Sequence, residues 1–182
     1  MAGIPSISDN LAITITGPSG DIIDTIFPTE LKRSDWGAVY ERCVGLHYEL
    51  LGYSVDYHGA RFGYLDGGVD LIAKRDGETR FIQCKLKLSS AISKSQIEWI
   101  LYKASSLLHK QAVGSQQIFE LVVPSIQHAF PTRCTSRSGR TKPNLAMLAF
   151  LARNRVQDRV RLAITEIPMP VANPFINTDA AR

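Results

Sequence analysis

The absences in this 182-residue chain narrow its chemistry first. No apolar run approaches the roughly 18 residues of a membrane-spanning helix, so no span is expected. Cysteine is scarce, and Cys43, Cys84 and Cys134 are far apart and odd in number. That spacing argues against a disulfide framework or a zinc ribbon and for a reducing, cytoplasmic setting. The four histidines are equally scattered, so no His/Cys metal cluster is expected. The opening MAGIPSISDN lacks the basic-then-apolar layout of a secretion leader. Internal repeats and low-complexity tracts are missing too, which favours one domain large enough to bury a single core.

What is present is ordinary in composition, with 45% hydrophobic and 21% charged residues, but uneven in charge. Up to Asp70, four Lys/Arg stand against ten Asp/Glu; beyond it, seventeen stand against seven. A basic second half suits a polyanionic partner such as nucleic acid, the alternative being a solvated basic face without a partner.

The stretch 66–85, DGGVDLIAKRDGETRFIQCK, organises the rest. It reads as two strands joined at Asp76-Gly77, a pair that tolerates the positive φ of a tight reversal. Alternation along the second strand, about 80–86, puts Phe81, Gln83 and Lys85 on one face and Ile82, Cys84 and Leu86 on the other. Asp70 then comes beside Gln83 and Lys85. A carboxylate, an amide oxygen and an ammonium at one spot suit a divalent metal and an activated water. Gly67 and Gly68 let the backbone bend before Asp70, and Asp66 is read as holding that turn.

Around this hairpin the periodicities predict further elements. Residues 11–16 and 22–27 flank Gly17-Pro18-Ser19-Gly20-Asp21 as an N-terminal hairpin extension within 1–33, expected to pack on the main domain. Ser34 is the expected N-cap of a helix with an apolar stripe of Val39, Tyr40, Cys43, Val44, His47, Leu50 and Leu51, ended by Gly52. Glu41 borders the stripe and, taken alone, is a surface charge. A strand over 53–57 and a loop over 58–68 lead to the hairpin. Ser95 to Glu98 form a capping-box pattern before a helix with Ile97, Ile100, Leu101, Ala104, Leu107 and Leu108 buried. A strand at 118–123 is covered on both faces. A basic loop at 133–142 carries Arg133, Arg137, Arg140 and Lys142, the candidate phosphate contacts. A helix after Pro143, a strand at 160–167 and an extended tail at 168–182 complete an α/β domain over 34–167, with a mixed central sheet flanked by helices.

Tyr40-Glu41, Leu51-Gly52-Tyr53, Asp66-Gly67-Gly68-Val69-Asp70-Leu71-Ile72-Ala73 and Gln83-Cys84-Lys85, in this order, resemble the Mrr-like restriction endonuclease domain of the PD-(D/E)xK nuclease superfamily. The resemblance covers residues 34–123 and is densest over 66–85. It implies a restriction-endonuclease-like core in which Asp70 is the metal carboxylate and Lys85 the motif lysine. Gln83 stands where most of the superfamily has Glu or Asp, and Glu41 is the helical acid that reaches the metal directly or through water. The 58–65 loop is longer and more aromatic than the family's, and no separate DNA-recognition domain is evident.

The expected activity is Mg²⁺-dependent hydrolysis of DNA phosphodiesters, with Mn²⁺ as a substitute. Asp70, the Cys84 carbonyl and the Gln83 amide oxygen supply the hard ligands such a metal takes. Lys85 orients or deprotonates water, or offsets charge on the phosphate. A homodimer would let both strands be cut, and a larger defence or recombination complex is a further expected setting. Branched-DNA cleavage and a non-catalytic nucleic-acid-binding subunit stand as the alternatives.

Overall fold

The computed structural model describes residues 4–7, 12–16, 19–27, 31–32, 35–62, 66–87, 90–108, 116–134, 141–142, 144–155 and 160–169. Its centre is a five-stranded mixed sheet built from β4 (Ser54–Asp56), β5 (Leu71–Arg75), β6 (Glu78–Cys84), β7 (Gln116–Val123) and β10 (Val160–Glu166). The strands lie side by side in the order β10-β7-β6-β5-β4. The first three in the chain form an antiparallel meander, whereas β6, β7 and β10 run parallel. Asp76 and Gly77 close the β5–β6 hairpin with φ of 45° and 81°. Both are left-handed, as the primed two-residue turn requires.

Parallel neighbours need crossovers, and the helical segments of the second half supply them. Helix α3 (Lys94–Leu108) lies between β6 and β7 in the chain, and α5 (Leu145–Ala152) between β7 and β10. Ile97, Ile100 and Ala104 of α3 join Ala146 and Phe150 of α5 against Phe81, Phe119, Leu121 and Leu162 on one face of the sheet. The opposite face is covered by α1 (Trp36–Leu50), whose Tyr40, Val44 and Tyr48 meet Leu71, Ala73, Ile82, Cys84 and Val122. The sheet therefore stands between two helical layers, and its middle strands are buried on both sides.

One charge lies inside the run that reads as continuously apolar. Glu120 of β7 is 1% exposed. It accepts from Arg80 of β6 at 2.9 Å and from the Thr165 hydroxyl of β10. Arg80 also donates to Glu78 at 2.7 Å, and the Tyr53 hydroxyl donates to Glu78 at 2.6 Å. Three parallel strands are thus tied in register by one polar network, and removing Arg80 would cost about 3–5 kcal/mol by stranding the buried Glu120 charge.

Several expected boundaries move. The N-terminal hairpin gains a third strand: β1 (Ile4–Ile7) pairs with β2 (Ile13–Thr16), which pairs with β3 (Ile22–Ile26). Ile26 packs with Trp36, Val39 and Cys43 at the start of α1. The N-cap position of α1 is Asp35, whose side chain makes no capping bond to the helix and whose Oδ2 accepts from the Lys32 N–H at 2.9 Å. Ser34, the expected cap, lies outside the described residues. The box opening α3 sits two residues early. Ser93 Oγ accepts from Gln96 N–H at 3.2 Å, and Gln96 Oε1 accepts from Ser93 N–H at 2.9 Å. Glu98 instead pairs with Lys94 at 3.7 Å. Within the expected 58–68 loop lies a short helix, α2 (His58–Phe62). The second hairpin strand spans Glu78–Cys84, ending before Lys85. After β7 comes another short helix, α4 (Ile126–Ala129). Of the tail, only Pro168 and Met169 are described, and Met169 packs against the α1 side of the core. Among the described residues, no helix is long and apolar enough to cross a membrane.

Candidate functional site

Strand register decides which side chains meet. Leu71 pairs with Ile82, so Asp70, the residue before β5, falls opposite Gln83. Asp70 N–H donates to the Ile82 carbonyl at 2.8 Å, continuing the ladder. One rung further, a side chain replaces backbone: Cys84 N–H donates to Asp70 Oδ2 at 2.6 Å. Gln83 Nε2 donates to the same oxygen and approaches the Cys84 carbonyl at 3.4 Å. Asp70 is only 7% exposed, so these two donors replace much of the water it gives up.

The turn before Asp70 is built for close approach. Gly67 and Gly68 have φ of 64° and 74°, conformations that strain any other residue. Asp66 Oδ1 accepts from Gly68 N–H at 2.7 Å, which is the turn-holding role the sequence suggests. A Cβ on Gly68 would lie 2.9 Å from the Cβ of Lys103 and 3.4 Å from Gln83 Oε1. Helix α3 therefore abuts the turn, and Lys103 stands beside Gln83. From the other direction, Gly59 of α2 donates its N–H to the Asp70 carbonyl at 2.8 Å.

Glu41 arrives from α1. Four residues on, Gly45 makes room for the Tyr57 ring, which a Cβ there would meet at 2.5 Å. That contact seats α1 against the chain between β4 and α2. Burial, followed by the Asp70 charge, raises the Glu41 carboxyl to about 7, and Lys85 partly offsets this. Burial also lifts Asp70 above the usual carboxylate range, while the Cys84 N–H and Lys85 pull it back. Glu41, Asp70 and Lys85 thus share one electrostatic neighbourhood. Lys85 N–H donates to the Val122 carbonyl at 2.9 Å, so pairing with β7 continues one residue past β6 and fixes where the lysine side chain starts.

The structure brings together Glu41, Asp70, Gln83, Cys84 and Lys85. Cys84 takes part through its backbone, since burial holds its thiol well above its ordinary pKa and keeps it neutral. The Gln83 carboxamide presents its nitrogen to Asp70 and its oxygen towards Gly68, the reverse of a metal-ligating pose. A half-turn of the carboxamide exchanges the two atoms. Among the described residues, no three His, Cys, Asp or Glu side chains form a metal-holding group. The donors gathered here are of mixed type: one carboxylate, one carboxamide and one backbone carbonyl, with Glu41 nearby. Such hard oxygen donors, few in charge, fit Mg²⁺, which retains waters and takes phosphate oxygens.

The basic segment is described only at its ends. Arg133 pairs with Lys142 and Cys134 with Thr141, forming the two-residue strands β8 (Arg133–Cys134) and β9 (Thr141–Lys142) where a loop was expected. Arg137 and Arg140 lie outside the described residues. Because β6 and β7 are parallel, the chain leaves β7 at the sheet end where Cys84 and Lys85 lie, then continues through α4 to β8.

The sequence reading missed Gly59 and the α3 positions Trp99, Tyr102 and Lys103. Helical spacing could have found the latter, which fall at i, i+3 and i+4 opposite the buried stripe. No family model matches the chain, and neither a curated protein nor a solved structure matches it.

Proposed function

We propose that this chain is a metal-dependent endonuclease with a restriction-endonuclease-like core, hydrolysing phosphodiester bonds in DNA. One observation carries the reading: Asp70 is locked by the Cys84 N–H at the point where β5 and β6 separate, with Gln83, Lys85 and Glu41 around it. A structural aspartate needs its hydrogen bonds, but not an ammonium and a second acid converging on it.

Asp70, the Cys84 carbonyl and the Gln83 amide oxygen are the residues that would hold Mg²⁺ or Mn²⁺, with Glu41 contributing directly or through water. Such a cation neutralises phosphate charge and makes water more acidic. Lys85, whose charge lowers the pKa of both Glu41 and Asp70, would orient the attacking water and donate to the phosphoryl oxygens as charge builds. Glu41, raised to about 7 by burial and by Asp70, is poised to accept a proton near neutral pH. Burial of Asp70 keeps competing water away from its carboxylate.

The basic ribbon supplies a path for the DNA backbone, and a second copy of the chain would carry the cut to the other strand. The test is cleavage of plasmid DNA with Mg²⁺, with chelator, and by Asp70→Asn. Cutting by wild type alone, and only with metal, supports the reading. Cutting that is equal in chelator or in Asp70→Asn removes it.

A further inference from the structure

Helix α3 presents its largest side chains to solvent. Trp99 is 58% exposed and Tyr102 is 70% exposed, although aromatic rings are among the groups most stabilised by burial. They are not splayed at random. Their ring centroids are 5.6 Å apart with planes 22° from parallel, a stacked pair. The Lys103 ammonium lies 5.5 Å from the Trp99 ring centroid. Lys103 is also the residue whose Cβ abuts Gly68 beside Gln83. One helical turn thus links an exposed aromatic stack, a cation and the edge of the candidate site.

The helix does not need these rings for its own packing, because its buried stripe runs through Ile97, Ile100 and Ala104. A flat π surface backed by a positive charge complements a nucleobase on its phosphodiester backbone. Every base has a π face, but in intact duplex those faces are already stacked on their neighbours. An exposed stack at the rim of a phosphate site therefore selects strand segments whose bases are unpaired.

We infer that Trp99 and Tyr102 form a stacking platform for an unpaired DNA base, with Lys103 holding the adjoining phosphate. Resting on the nuclease reading, this makes the preferred substrate DNA with a single-stranded segment next to the scissile bond, in preference to uninterrupted duplex.

The chain contains two tryptophans, and Trp36 is 1% exposed, so a ligand-dependent change in emission reports Trp99. The Asp70→Asn chain would be titrated in chelator with an oligo-dT strand and with a long blunt duplex. The oligomer is expected to quench emission saturably, and the duplex is not. Trp99→Ala should weaken oligomer binding, followed by anisotropy of a labelled strand, about tenfold, the size of one lost base–aromatic stack. Trp99→Phe should recover most of that loss, with duplex affinity unmoved in both variants. Oligomer binding with no emission change, and with equal affinity in Trp99→Ala, overturns the proposal. So does emission that shifts with protein concentration in the absence of DNA, since that assigns the platform to a second copy of the chain. A parallel cleavage assay on wild type keeps the two readings apart. Quenching without cleavage under any metal defeats the nuclease reading and leaves the platform; cleavage of duplex without quenching does the reverse.

Discussion

The N–H of Gly59 donates to the carbonyl of Asp70 at 2.8 Å, pinning the first turn of α2 behind the carboxylate on which the candidate site depends. A Cβ at position 59 would lie 3.2 Å from the Asp70 Cα. Gly59→Ala should gain up to about 1 kcal/mol of helix propensity and lose about 1–3 kcal/mol to overpacking. The net is a loss of up to about 3 kcal/mol, and cleavage should fall far more than the lowered melting temperature suggests, because Asp70 is what must move. Normal cutting by this variant would show that the carboxylate tolerates displacement.

Asp70 carries two roles that different substitutions separate. Asparagine keeps an oxygen for the Cys84 N–H, so Asp70→Asn should lose cleavage and retain its fold and DNA binding. Asp70→Ala leaves that buried N–H without its acceptor, at a cost of about 1–3 kcal/mol. Paired melting curves check this, and equal stability of the two variants would mean that the bond contributes nothing.

Glu41 gives the site a pH signature. Its folded pKa of about 7 exceeds its ordinary value of 4.5. A carboxyl raised on folding favours the fold fully below its unfolded pKa, and this contribution disappears as pH rises through the folded pKa. Without metal, stability should therefore drop between about pH 4.5 and 7. Glu41→Gln should raise the melting temperature at pH 8, do little at pH 4.5 and flatten the slope between. An unchanged slope would place Glu41 in water, away from Asp70.

Gln83 now donates to Asp70, so Gln83→Glu would set a second carboxylate against the same oxygen. Like charges so close oppose double ionisation. This variant should melt lower than wild type in chelator at pH 8, recover with Mg²⁺ by linkage, and reach full cleavage at lower Mg²⁺. Gln83→Leu should cut poorly at every concentration. Three superimposable metal titrations would exclude Gln83 from the site.

Replacing Arg133, Arg137, Arg140 and Lys142 with Ala should flatten the dependence of DNA affinity on salt, by a log–log slope of about 0.9 for each duplex phosphate that is no longer neutralised. An unaltered slope would route the backbone elsewhere.

The meeting of Asp70, Gln83 and Lys85 was legible because two local rules determine it. Period-two alternation sets the faces, and Asp76-Gly77 sets the register of the hairpin. The mixed sheet followed from a hairpin succeeded by strand–helix–strand units. Other features had weaker signals. Ser93/Gln96 and Ser95/Glu98 are two overlapping capping boxes, and the choice between them is tertiary, because Ile92 N–H is held by the Ala129 carbonyl at 2.8 Å. Helix α2 spans only His58–Phe62, too short for a period to show. Glu120 passed unnoticed in a run read as continuously apolar, because its partner Arg80 is 40 residues away in sequence. The orientation of the Gln83 amide depends on which donor Asp70 attracts, and alternation along a strand cannot reveal it.

At Asp70 the sheet borrows a side-chain oxygen to complete a rung that backbone elsewhere provides. Inheritance then treats the site's members unequally. If the proposed nuclease role were relaxed in a descendant, Glu41 and Lys85 would be free to drift, and discarding the acid at 41 would even relieve a burden on the fold. Position 70 would remain Asp or Asn, conserved by the architecture long after the chemistry had gone. Under the proposed nuclease reading, the lysine rather than the aspartate would therefore be the position that separates cutting from non-cutting copies of this fold.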